Sequence, residues 1–200
     1  MGMIVTRRTT ERFSGFKCFL MMLLRICDPD EVWITSKRLT TSLSNATDHS
    51  GNKVKDLLSG KRVYLVTGDD RNGNSYLHSL QSDLATTSHV DVEIQPYWDV
   101  NEIYLIKENR VVAAITGSSE CIKRDLDKKP RPGDNFEFDT KTDVIHFVSD
   151  YDAQIRAACE NDPDIRIAIT EFGGISICNG EFDLDRMFRD MQDRINRNRQ

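Results

Sequence analysis

Two β-forming segments joined by a two-residue turn constrain this chain more than any other stretch. Between Trp98 and Glu120 the sequence runs WDVNEIYLIKENRVVAAITGSSE. Glu102 to Lys107 alternates and is rich in β-formers, Glu108-Asn109 is turn chemistry, and Arg110 to Thr116 is a near-continuous apolar run of the kind buried on both faces. A strand of that sort belongs at the centre of a sheet. It ends in Gly117-Ser118-Ser119, where a glycine lets the backbone turn and leaves amides and hydroxyls pointing outward, a common way to meet an anion.

Around this pair the chain alternates helix and strand. From Phe13 to Cys27 the apolar residues cluster so densely that a buried helix is predicted, stopped by Asp28-Pro29-Asp30. Glu31 to Ser36, Arg62 to Thr67 and Val90 to Gln95 read as three strands. A short helix over Val54, Leu57 and Leu58, closed by Gly60, and another over Tyr76 to Leu84 separate them, the signature of parallel αβ units. After the hairpin, Glu120 to Asp134 is a polar loop and Asn135 to Thr140 an alternating strand. Val144, Phe147, Val148, Tyr151, Ile155 and Ala158 are spaced for one long amphipathic helix with Asp143 as N-cap. Ile165 to Thr170 and Ile175 to Cys178 flank Gly173-Gly174 as a hairpin, and Leu184 to Ile195 forms a last helix.

The expected architecture is one α/β domain over residues 13–200, a mixed sheet flanked by helices on both faces that includes the hairpin and helix at 163–196. Residues 1–12 are expected to be a flexible tail. At 200 residues and 38% hydrophobic content the chain can fill one core. A net charge of −5 disfavours coating nucleic acid through the overall field. Cys18, Cys27, Cys121, Cys159 and Cys178 form no C-x-x-C pair, and three lie in apolar runs, so they read as reduced core residues of a cytoplasmic protein. The apolar stretch Cys18 to Leu24 is far short of the roughly 20 residues a transmembrane helix needs. Met1-Gly2-Met3-Ile4-Val5-Thr6 fits the loose pattern for N-myristoylation at Gly2, which short sequences often meet by chance.

In pattern and order, these elements resemble a phospholipase D-like half-domain. EVWITSKRLT (31–40) resembles the superfamily's opening strand, LLSGKRVYLVTG (57–68) its second helix and strand, and IYLIKENRVVAAITGSSE (103–120) its signature strand pair. DNFEFDTKTDVIHFVSDYDAQIR (134–156) is similar to the strand and helix that close the half-domain. The resemblance implies a phospholipase D-like mixed sheet and a site with the pattern H-x-K, an acidic residue, then G-S-x-x-N, completed by a second half or subunit. One histidine attacks a phosphodiester, its partner protonates the leaving group, and the lysines hold the phosphate oxygens.

This chain departs from that pattern where the chemistry lies. The histidine position falls on Val100 and the lysine position on Glu102; Lys107 stands near the acidic position, and Glu120 or Cys121 where the asparagine belongs. Valine has no lone pair for phosphorus, and a carboxylate about 4 Å from a phosphate is repelled by roughly 1–4 kcal/mol. The expectation is a catalytically inactive module, a pseudoenzyme acting as a dimeric binding or scaffold protein, with no catalytic residue, cofactor or metal. Active single-half members pair symmetrically, which implies a homodimer; a protein or nucleic-acid partner stays open. The candidate anion-binding residues are Gly117, Ser118, Ser119, Lys37 and Arg38. The alternative is a nuclease or phosphodiesterase with a metal-dependent carboxylate site drawn from Glu102, Asp69 or Asp70. His49, His78, His89 and His146 lack metal-ligand spacing and are expected on the surface or on helix faces.

Overall fold

The structure, a computed structural model, describes residues 2–7, 15–68, 74–121, 126, 142–163, 165, 175–179 and 182–198. Its framework is a mixed sheet of eight strands among the described residues: β1 (Gly2–Arg7), β2 (Glu31–Ser36), β3 (Arg62–Gly68), β4 (His89–Gln95), β5 (Asn101–Lys107), β6 (Arg110–Gly117), β7 (Thr142–Phe147) and β8 (Ile175–Asn179). They lie in the order β4-β3-β2-β5-β6-β7-β1-β8. β2, β3 and β4 are parallel, as the crossover pattern predicts, and β5 runs antiparallel beside β2.

The β5–β6 hairpin therefore occupies the middle of the sheet. Glu108 and Asn109 both have positive φ, 50° and 60°, the conformation of a two-residue type I′ turn whose twist suits the flanking strands. Leu105 and Val112 to Ile115 are buried, which explains the continuous apolar run: both faces of the hairpin are covered.

One face carries the larger core. Helix α1 (Gly15–Cys27) packs Phe19, Leu20 and Leu23 there against Val32, Ile34, Leu65, Ile103, Leu105 and Ile115. Helices α2 (Ser42–Asn45), α3 (Val54–Leu57), α4 (Asn74–Leu84) and α5 (Asp152–Asn161) complete that layer. The other face is capped by α6 (Leu184–Asn198), which sets Leu184, Met191 and Ile195 on Trp98, Tyr104, Ile106 and Ala114. Among the described residues no helix is long and apolar enough to cross a membrane. Cys18, Cys27, Cys121 and Cys159 are buried and form no disulfide among the described residues. Burial pushes the Cys27 thiol up to about 12 and the Cys159 thiol up to about 11, values typical of inert core cysteines.

Two expectations are corrected. Within the stretch expected to fray, Gly2–Arg7 is an inner strand, antiparallel to β7 on one side and β8 on the other; Ile4 is fully buried. Pairing with strands far away in sequence outweighs the tendency of termini to fray. The long helix from Asp143 is instead a strand, a 3-10 turn (Ser149–Tyr151) and the shorter α5. Asp143 is no N-cap: it lies in β7 opposite Gly117. The Asn135–Thr140 strand, most of the Glu120–Asp134 loop, Asp69, Asp70, Gly173 and Gly174 lie outside the described residues.

Candidate functional site

Strand direction brings most of the sequence-derived candidates to one end of the sheet. β2 ends there at Ser36, β5 begins there at Asn101, β6 ends at Gly117 and β7 begins at Thr142. Lys37, Arg38 and Gly117 to Ser119 consequently share that end with Asn101 and Asp143, two residues the motif pattern did not single out.

A polar knot closes it. Asn101 Oδ1 accepts from Ser36 Oγ at 2.9 Å and from the Lys37 amide at 3.0 Å, and Ser36 Oγ accepts the Cys121 amide at 3.2 Å. Ser36 is fully buried. Arg38 Nε donates to Glu120 Oε2 at 2.7 Å, so the guanidinium already faces a carboxylate of the same corner.

The Gly-Ser-Ser turn meets an anion, and the anion is the chain's own. Ser119 donates its amide to Asp143 Oδ1 at 3.0 Å and its hydroxyl to Oδ2 at 2.6 Å. Both residues are about 5% exposed, and such charge-assisted bonds are short and strong. Ser118 is likewise held by β7: its amide donates to the Thr142 carbonyl at 3.0 Å, and its hydroxyl accepts the Thr142 amide at 2.8 Å. Gly117 makes the approach possible, since a Cβ there would stand 2.4 Å from both Asp143 Oδ1 and the Thr142 carbonyl oxygen.

Val100 and Glu102 flank Asn101 in sequence, and alternation carries them to the sheet face under α6. Val100 is half-buried against the smaller core. Glu102 Oε2 accepts from the Tyr104 hydroxyl at 3.0 Å, and Oε1 pairs with Arg194 Nη2 at 3.4 Å. Burial, then the neighbouring carboxylate of Glu102, push the Tyr104 phenol upward, so it stays a donor. Among the described residues no three His, Cys, Asp or Glu side chains converge as metal ligands.

His146 departs from the surface placement expected of the histidines. It is 6% exposed on β7, with Nε2 3.4 Å from Thr116 Oγ1 and the Phe182 ring set edge-on at 4.8 Å. Nδ1 has no hydrogen-bond partner among the described residues. Burial lowers its pKa and keeps the ring neutral. Thr142 to Phe147 carries no clear alternation, being buried on both faces toward its end, and the helical spacing of the same stretch obscured its place.

No family model matches the chain, and no curated protein matches it. Similar solved structures include a polyphosphate kinase from Porphyromonas gingivalis, with 10% identity and a TM-score of 0.46 over 84% of this chain. The chain spans 29% of that kinase's length.

Proposed function

We propose that this chain is a catalytically inactive phospholipase D-like module, working in the cytoplasm as a homodimeric binding or scaffold protein. The observation that carries the proposal is the buried Asp143 carboxylate seated on both Ser119 donors. A phosphate entering that corner would meet a carboxylate where the family pattern calls for phosphate-binding groups, and the like charges repel. Glu102, at the position of the missing lysine, is engaged by Tyr104 and Arg194. Gly117, Ser118 and Ser119 are thus read as a socket for an internal carboxylate. Lys37 and Arg38 are read as loop cations, with Arg38 paired to Glu120. Buried cysteines that form no disulfide among the described residues fit a reducing compartment.

Incubation with labelled single- and double-stranded DNA, RNA and a generic phosphodiester, with and without Mg²⁺ or Mn²⁺, is expected to give no turnover. Hydrolysis that Glu102→Gln abolishes would replace this proposal with a carboxylate-dependent phosphodiesterase. Light scattering at micromolar concentration is expected to return twice the mass of the chain, and a monomer would remove the dimer from the proposal.

A further inference from the structure

Among the described residues strand β4 is an outer strand of the sheet, paired with β3 alone through seven residues in continuous register. Proteins commonly protect such an edge with charged side chains, a proline, a bulge or a very short strand. HVDVEIQ has no proline and no bulge, and its charged side chains besides His89 are the acids Asp91 and Glu93. Val90 and Val92 pack against the larger core, while His89, Asp91 and Glu93 alternate on the opposite face, in register with Arg62, Tyr64 and Val66. His89 Nε2 and Asp91 Oδ2 are 3.4 Å apart with their side chains 73% and 51% exposed. Glu93 accepts from Gln95 Nε2. Ile94 is 38% exposed, and the strand leads into Tyr97, 98% exposed and held at a φ of 59°. A bulky non-glycine residue in that conformation is uncommon.

We propose that the β4 edge docks an extended segment of a partner protein whose alternate residues are lysine or arginine, adding a strand to the sheet. Main-chain hydrogen bonds along the open edge would supply affinity, and the alternating side chains would supply selectivity. Asp91 and Glu93 set that selectivity. A strand pairing in either direction places alternate side chains beside theirs, and opposite charges there are favourable while like charges are not. The chain's overall net charge of −5 has the same sign.

The same acids argue against a second copy as the occupant. A two-fold antiparallel pairing of β4 with itself can be centred on Asp91, Val92 or Glu93 and still match at least five residues. The first places Asp91 against Asp91, the second Asp91 against Glu93, and the third Glu93 against Glu93. Each opposes acid to acid. The homodimer proposed above must therefore use another surface, and the β4 proposal stands or falls independently of catalytic silence.

The test uses the full chain and a fluorescein-labelled peptide of alternating lysine and threonine. Peptides of alternating glutamate and threonine, and of lysine and threonine in blocks, serve as controls. Anisotropy is expected to favour the alternating lysine peptide over both by at least about tenfold in Kd. Asp91→Lys with Glu93→Lys is expected to weaken that peptide by a similar factor and to gain the glutamate peptide. Asp190→Lys with Asp193→Lys, on exposed positions of α6, is expected to change little. Hydrogen exchange should slow at residues 89–95 when the lysine peptide binds. The proposal is overturned by equal binding of the block and alternating peptides, by equal losses in the two double variants, or by unchanged exchange at β4. Slowing of β4 exchange with protein concentration alone would assign the edge to a second copy.

Discussion

Asp143→Ala tests the sealed corner most directly. The side chain accepts two hydrogen bonds from Ser119, at 3.0 and 2.6 Å, in a setting where both residues are about 5% exposed. Bonds to a charged group contribute about 1.5–3 kcal/mol each, so the pair is worth roughly 3–6 kcal/mol. Removing the carboxylate also removes the cost of burying it, which offsets part of that. It leaves the Ser119 amide and hydroxyl without this partner, and the expected net loss is ~3 kcal/mol. For a domain of this size each kcal/mol lowers Tm by about 2–4 °C, so the variant should melt roughly 6–12 °C lower. Urea unfolding followed by circular dichroism, with an unchanged m-value, reads the difference. Asp143→Asn keeps an acceptor for the Ser119 amide and should lose only ~1 kcal/mol. The alanine variant also opens the corner to a small anion: sulfate at about ten times its Kd would return ~1.4 kcal/mol, and the parent protein should not respond. An alanine variant within about 1 kcal/mol of the parent, or an asparagine variant as damaged as the alanine one, would refute the socket.

Three further outcomes follow from other contacts. Gly2→Ala places a Cβ 2.1 Å from the fully buried Phe147 ring and should cost ~1–3 kcal/mol through overpacking; a melting temperature equal to the parent's would show that the ring yields freely. Glu102→Gln should cost under ~1 kcal/mol, because the Arg194 side chain is 41% exposed and solvent screens the pair, while glutamine still accepts the Tyr104 proton. A loss above about 2 kcal/mol would show that the carboxylate does more than hold α6. His146 has a folded-state pKa below its ordinary 6.5 because it is buried. Below pH 6.5 the unfolded chain therefore binds more protons, and stability should fall as pH drops from 6.5 through the folded-state pKa. His146→Phe should flatten that segment of the unfolding curve, and a slope identical to the parent's would assign it to other groups.

The centre of the sheet was legible because burial on both sides of β6 writes a long apolar run, and because Glu108-Asn109 can adopt the left-handed turn that joins it to β5. The parallel units were legible from their crossovers. β7 was not, because Val144, Phe147, Val148, Tyr151 and Ile155 satisfy helical spacing by coincidence. Ile145 and His146 are buried as well, as in a strand covered on both faces, and a short apolar run carries too little periodicity to separate the two cases. β1 was hidden for another reason. Nothing local distinguishes MIVT from a frayed end, since its partners begin at Thr142 and Ile175. The corner's candidates were found from Gly117-Ser118-Ser119, but their occupant was not. Only the pairing of Gly117 with Asp143 gives a strand carboxylate its place against Ser119.

The position of β1 between β7 and β8 also bears on synthesis. Gly2–Arg7 leaves the ribosome before either neighbour exists, and the nearer one begins at Thr142. At translation rates of 5–20 residues per second, that strand waits on the order of ten seconds or more with both edges unpaired. A short β-branched segment in that condition is a natural client for a chaperone at the tunnel exit, and a prime contact between neighbouring nascent chains on one polysome. Slower elongation lengthens the exposure, so soluble yield should respond to codon choice between β1 and β7 even though the folded protein is the same.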